Sequence, residues 1–188
     1  MATAAIAGLG LTELGQVYGR SPRRLAAEAV RLAAADAGLE PGWGQGHPGH
    51  QLERGSEFGL RTGAVMSGRA AMGMAGIGAD DITMAQLYDC YTYTVVVTLE
   101  DYGFCPKGEG GPFAASGALA PGGSLPVNTG GGQLSSCMWG FTPLSEAVIQ
   151  ARGEGGARQA PGRDVILVSG NGGILAHHST LILSPHPR

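Results

Sequence analysis

The chain has 188 residues, of which 43% are apolar and 14% charged. That is a globular composition with enough chain for one good core and too little for two full-sized α/β domains. A net charge of −3 with 6% aromatic residues provides no basic stripe for nucleic acid, and no apolar run reaches the roughly 18 residues of a membrane-spanning helix. Cys90, Cys105 and Cys137 lie at long spacings that match neither a disulfide framework nor a zinc pattern. They read as reduced thiols of a cytoplasmic protein, and no metal site is expected.

In chain order, the opening MATAAIAGLG lacks a basic segment and reads as a strand, over residues 3–9, rather than as a signal peptide. Ser21-Pro22 supplies a cap and a proline for a helix with a Leu25, Ala29, Leu32 and Ala33 stripe, closed by Gly38. Residues 1–40 are therefore an opening strand–helix unit. Residues 41–56 are dominated by glycine, proline and histidine and predict an irregular loop. From Glu57 to Ala75, Leu60, Ala64, Met66, Ala70 and Met74 recur at helical spacing. The many small residues there predict close packing against another backbone.

Ile82 to Leu87 reads as a buried strand, and Tyr91 to Tyr102 as a helix with a Val95, Val96 and Leu99 face. Residues 103–126 form a glycine-rich excursion, and Leu125 to Asn128 a short strand before a glycine turn. Thr142-Pro143 starts a helix that runs to about Arg152. Residues 164–169 and 179–184 predict two strands joined by GNGGILAHH. This succession predicts an α/β layered fold in a single domain, 1–188, ending in a hairpin.

Three stretches carry a family likeness: YDCYTYTVVVTLEDYGFCPKGEGGPF at 88–113, LPVNTGGGQLSS at 125–136 and SGNGGILAHHSTLIL at 169–183. In this order they resemble the carboxyl-terminal half of the non-specific lipid-transfer-protein (sterol-carrier-protein-x) thiolases. More narrowly, they resemble the aldolases of that group that shorten steroid side chains. Residues 4–40 resemble the opening strand and helix of the same family. The resemblance implies a thiolase-like fold, a single mixed sheet with helices on both faces, strongly truncated relative to a full thiolase, with 57–188 as the carboxyl-terminal half. It also shows departures. The nucleophilic cysteine of true thiolases belongs to a middle segment absent here, and Trp139 stands about where a histidine is expected. The last glycine loop reads Gly170-Asn171-Gly172-Gly173 instead of carrying a second cysteine.

A retro-aldol cleavage needs no covalent nucleophile. It needs a base for the β-hydroxyl proton and donors for the thioester enolate. Asp89, Tyr91 and Tyr93 lie where a buried strand meets a helix start, the strand end at which open α/β sheets bind ligands, and alternation on an extended chain points all three to one side. The alternative is that Asp89 caps the helix and the tyrosines pack beneath it. The turn Asn128, Thr129, Gly130, Gly131, Gly132 is a candidate thioester-binding corner or a structural turn. The second loop adds Gly172 and Gly173. Cys137 is a candidate thiol, while Cys90, at a helix start, is expected to face the core. His178 or His177 is a candidate acid or base from the final connection, and the two cannot both face inward. His47 and His50 read as solvated loop residues.

Three functions follow as expectations. The first is a carbon–carbon lyase subunit acting on a β-hydroxyacyl thioester. The resemblance implies completion by a DUF35-like OB-fold and zinc-ribbon partner that would hold any zinc. The second is an acyltransferase or thioesterase that uses Cys137 or Cys90, and the third is a non-catalytic scaffold subunit. The chain is expected to need no cofactor of its own, to take its acyl group on coenzyme A or a carrier protein, and to form a homodimer or heteromer. The enzyme readings all require the Asp89 strand end and the Asn128 corner to meet.

Overall fold

The β-branched and leucine runs near the end of the chain form the middle of a mixed sheet. The computed structural model describes residues 59–135, 142–172, 175 and 177–186, together with the backbone of 43–46. The opening unit expected over 1–40, most of 41–56, and the positions His47, His50, Cys137, Trp139 and Gly173 lie outside the described residues. Among those described, the sheet has four strands: β1 (Trp43–Gly46), β2 (Met84–Gln86), β3 (Ile166–Gly172) and β4 (His177–Leu183), in the order β1-β4-β3-β2. β3 and β4 pair antiparallel from Ile166 opposite Leu183 to Gly172 opposite His177, and β2 runs parallel to β3. The carboxyl ends of β2 and β3 therefore lie at the same end of the sheet.

Strand alternation divides the side chains between two faces. On one, Met84, Ile166 and Val168, with Leu181 and Leu183 packed beside them, meet Ala147 and Ala151 of helix α4 (Thr142–Arg152). On the other, Ala85, Leu87 and Leu167 meet helices α1 (Ala64–Ala75) and α2 (Thr92–Tyr102) through Ala64, Met72, Leu99 and Tyr102. Helices thus cover both faces, as the resemblance implied. None of the helices described is long and apolar enough to cross a membrane.

Several elements differ from the expectations. The segment 41–56 contains β1, whose backbone pairs with the edge of β4. Hydrogen bonding to a neighbouring strand makes a strand here without any apolar period in the sequence. The helix expected from Glu57 begins at Ala64, because Gly59 takes a positive φ of 77° and the Thr62 hydroxyl accepts the Ala64 N–H at 3.1 Å. The glycine-rich excursion holds a short helix α3 (Gly110–Ala115). The strand expected over Leu125–Asn128 reduces to one parallel bridge, Val127 with Ala85. Pro126 offers no N–H, and Asn128 turns away with a φ of 51°. The final strands extend further toward each other than expected, so His178 lies within β4 and not in the connection.

The close packing expected of α1 is visible at Gly68. A Cβ built there would lie 2.5 Å from the Tyr102 ring, which occupies that space. Gly68→Ala should therefore reverse the usual helix preference, in which alanine is better than glycine by about 1 kcal/mol. Overpacking should destabilise the fold by about 1–3 kcal/mol in urea unfolding. Gly73→Ala, where a Cβ meets nothing within 4 Å, should be neutral or stabilising.

Candidate functional site

Beyond β2 the chain runs through Leu87 and Asp89 to the start of α2, and the turn 128–132 folds back against this segment. The contact begins as strand pairing: the Ala85 N–H donates to the Pro126 carbonyl at 3.0 Å, and the Asn128 N–H to the Ala85 carbonyl at 3.1 Å. The Leu87 N–H then donates to the Asn128 Oδ1 at 2.7 Å. Asp89, only 4% exposed, closes the arrangement. Its Oδ1 accepts the Gln133 N–H at 2.7 Å and its Oδ2 the Leu134 N–H at 3.3 Å. The strand end and the glycine corner therefore converge, held by direct hydrogen bonds to a carboxylate.

Gly132 is what permits this approach. It sits at a φ of +68°, and a Cβ on it would fall 2.0 Å from the Asp89 Oδ2. The crest of the turn, Gly130 and Gly131, is exposed. Behind it, the Thr129 hydroxyl receives a hydrogen bond from the Gln86 Nε2 at 2.9 Å and donates to the Glu146 Oε1 at 2.7 Å. Glu146, on α4, is also held by the Gln150 amide at 2.9 Å and by Arg158, whose Nε and Nη2 lie 3.1 Å from its two oxygens. Burial opposes ionisation of Glu146, but hydrogen bonds from Arg158, Gln150 and Thr129 outweigh it and hold the carboxyl below its usual range.

The expected alignment of Asp89, Tyr91 and Tyr93 on one side does not occur. α2 begins at Thr92, so the two-residue alternation of an extended chain ends before Tyr93. The Tyr93 hydroxyl donates to the Gly59 carbonyl. Tyr91 is 67% exposed at the head of α2. Neither tyrosine packs beneath the helix, and the Asp89 carboxylate binds the glycine turn instead of capping α2. The Thr94 hydroxyl is the group at that helix start, donating to the Tyr91 carbonyl at 2.6 Å. Cys90 is half-buried, with its thiol 3.8 Å from the Thr94 Oγ1.

Of the histidine pair, His177 is exposed and His178 is 3% exposed. The His178 Nε2 lies 2.7 Å from the Ser169 Oγ, and burial pushes its pKa down from 6.5 to about 4. Next to it on the same face, Thr180 links the Tyr102 hydroxyl at 2.7 Å to the Ser67 hydroxyl at 2.8 Å. Gly172 ends β3 opposite His177. Thr129 and Gln133 lie in the 125–136 stretch, but Gln86, Glu146 and Arg158 belong to no short motif with them, since the bonded pairs are 12 to 44 residues apart. Only the fold assembles them.

Residues 44–185 match the family described as Thiolase C-terminal domain-like. The chain belongs to that family. Among relatives of this thiolase-like chain, the 17-hydroxy-3-oxo-4-pregnene-20-carboxyl-CoA lyase of Mycobacterium tuberculosis is 39% identical over 106 residues, 56% of this chain and 28% of that protein. An acetyl-CoA acetyltransferase of Methanothermobacter thermautotrophicus is 34% identical over 121 residues, 61% of this chain and 32% of that protein. Among solved structures, an Ltp2-ChsH2(DUF35) aldolase superposes with a TM-score of 0.68 at 33% identity, covering 76% of this chain and 38% of the other. The matched region thus spans about a third of the length of these relatives.

Two outcomes follow from this geometry. Gly132→Ala combines a strained φ with displacement of the Asp89 carboxylate, and should cost about 2–4 kcal/mol in urea unfolding. Gly122→Ala, where a Cβ meets nothing within 4 Å, should stay within about 0.5 kcal/mol. His178 remains neutral in the fold down to about pH 4, whereas a free imidazole protonates near 6.5. Between these values the unfolded chain binds more protons, so stability is full above about pH 6.5 and falls as the pH drops toward 4. The fall is at most about 1.4 kcal/mol per pH unit. His178→Gln should flatten that part of a pH series of unfolding curves.

Proposed function

We propose that this chain is a carbon–carbon lyase subunit that performs a retro-aldol cleavage on a β-hydroxyacyl thioester. The observation that carries the reading is the junction of the Asp89 strand end with the Asn128–Gly132 corner, with an exposed tyrosine two residues beyond Asp89. In the cleavage the Cα–Cβ bond breaks and its electron pair enters the thioester enolate. The β-carbon becomes a carbonyl, and the β-hydroxyl proton passes to a base and then to the α-carbon. Tyr91 is the group assigned to that proton transfer. The backbone N–H groups of Gly130 and Gly132 are assigned to the thioester oxygen, the Gly131 N–H being donated to the Asn128 carbonyl within the turn at 2.8 Å. Asp89 and Asn128 are positioning residues that hold the crest, and Tyr93 anchors the helix start to Gly59.

The acyl group arrives on coenzyme A or a carrier protein, with no cofactor on this chain. A DUF35-like protein is the partner assigned, supported by the aldolase structure of that composition to which the chain is similar. The lyase relative from Mycobacterium tuberculosis supports a steroid-like acyl group.

The test uses the full chain, alone and co-expressed with a DUF35-like protein from the same source. It is supplied with a β-hydroxyacyl-CoA, and products are read by mass spectrometry. The expected products are a shortened acyl-CoA and a free ketone or aldehyde. Tyr91→Phe should lower kcat by roughly 10²–10⁴-fold, and iodoacetamide should leave turnover intact. Turnover abolished by iodoacetamide and indifferent to Tyr91→Phe would replace this reading with a thiol acyltransferase.

A further inference from the structure

Among the described residues, the buried side-chain atoms without a hydrogen-bond partner are the Nε2 and Oε1 of Gln133, the Oδ1 of Asn171 and the Nδ1 of His178. All belong to one end of the sheet. Gln133 is tied through its N–H to Asp89, just past β2. Asn171 and His178 are direct partners across the antiparallel ladder at the carboxyl end of β3. Buried polar groups are nearly always paired, so a concentration of unpaired ones at the ligand end of a sheet points to a missing partner.

We propose that Asn171 and His178 together bind a ligand hydroxyl. Asn171 and His178 project from the same face of the sheet, because cross-strand partners do. The Ser169 hydroxyl holds the His178 Nε2, and the Tyr102 ring stands edge-on to the imidazole at 6.0 Å. We take the tautomer in which the Ser169 hydroxyl donates to Nε2, so that the proton of the neutral ring is on Nδ1. That leaves one donor, the Nδ1–H, beside one acceptor, the Asn171 Oδ1. A hydroxyl accepts from the first and donates to the second, whereas a carbonyl or carboxylate satisfies only the donor and an ammonium only the acceptor.

The surroundings agree with a neutral occupant. His178 itself is kept uncharged by burial. Its hydroxyl-bearing neighbours are Ser169 and Tyr102, and Thr180 follows on the same face. Room on that face is left by glycine, because Gly46 of β1 stands opposite His178. The site rests on the acyl-thioester reading for what carries the hydroxyl, and it adds a means of distinguishing hydroxylated from deoxy acyl chains.

The experiment uses the full chain with 15N-labelled histidine, the His178 signals being assigned from His178→Gln. It is titrated with 3-hydroxybutyryl-CoA and, separately, with butyryl-CoA. The hydroxylated thioester should shift the His178 Nδ1 resonance and bind about tenfold more tightly than the deoxy one. Asn171→Ala should bring the affinity ratio close to one, and Asn171→Ser, retaining a smaller polar group, gives a second reading should the alanine variant fold poorly. Equal affinities, an unmoved Nδ1 resonance, or discrimination that survives in both Asn171 variants would overturn the proposal. The two readings separate cleanly. Discrimination without carbon–carbon cleavage sinks the lyase and keeps the hydroxyl site, and cleavage without discrimination does the reverse.

Discussion

Asp89 accepts two backbone N–H groups from a turn more than forty residues away, and the geometry of this end of the sheet depends on that clamp. A buried carboxylate is tolerated when donors surround it, and here the donors are the amides that a glycine turn would otherwise leave unpaired. The clamp works because Gly132 has no side chain to obstruct it and because Asn128 fastens the other side of the turn to the Leu87 N–H. Strand, turn and helix start are thereby locked in one register. The exposed crest of the turn and the exposed Tyr91 owe their positions to it.

The two faces of the sheet support this end by different means. On the α4 side, an ion pair does so: Arg158 grips Glu146, which grips Thr129, which meets Gln86. On the α1 and α2 side a group of neutral side chains does so: Ser169 bonds His178, and Thr180 joins Tyr102 to Ser67. Burial keeps Tyr102 protonated, with its pKa pushed up to about 12, and His178 unprotonated. Of the buried carboxylates at this sheet end, Glu146 is paired with Arg158 and Asp89 is held by backbone amides.

Expectations failed where local pattern was asked to decide a tertiary matter. Strand alternation predicts Asp89, Tyr91 and Tyr93 on one side, but helix α2 starts at Thr92, so Tyr93 turns to Gly59. The segment 41–56 looked patternless, yet β1 forms inside it, because pairing with β4 satisfies its backbone without requiring an apolar period. Histidines placed in a connection from their flanking glycines belong to a strand, since the β3–β4 ladder continues to Gly172 and His177.

What the sequence determined by itself is the set of local decisions: the apolar runs of β2, β3 and β4, the helices α2 and α4 to within a residue or two at the stated ends, and the presence of a glycine corner after a polar strand end. These follow from period, propensity and chain stiffness, which act over a few residues. The motifs at 88–113, 125–136 and 169–183 also sufficed for the thiolase likeness. Tertiary structure alone decided that Asp89 is a clamp and not a helix cap, that Glu146 and Arg158 brace the turn, and that His178 and not His177 faces inward beside Asn171. Each of those outcomes depends on which donors and acceptors meet across long sequence separations once the layers have packed. No local pattern encodes such a meeting.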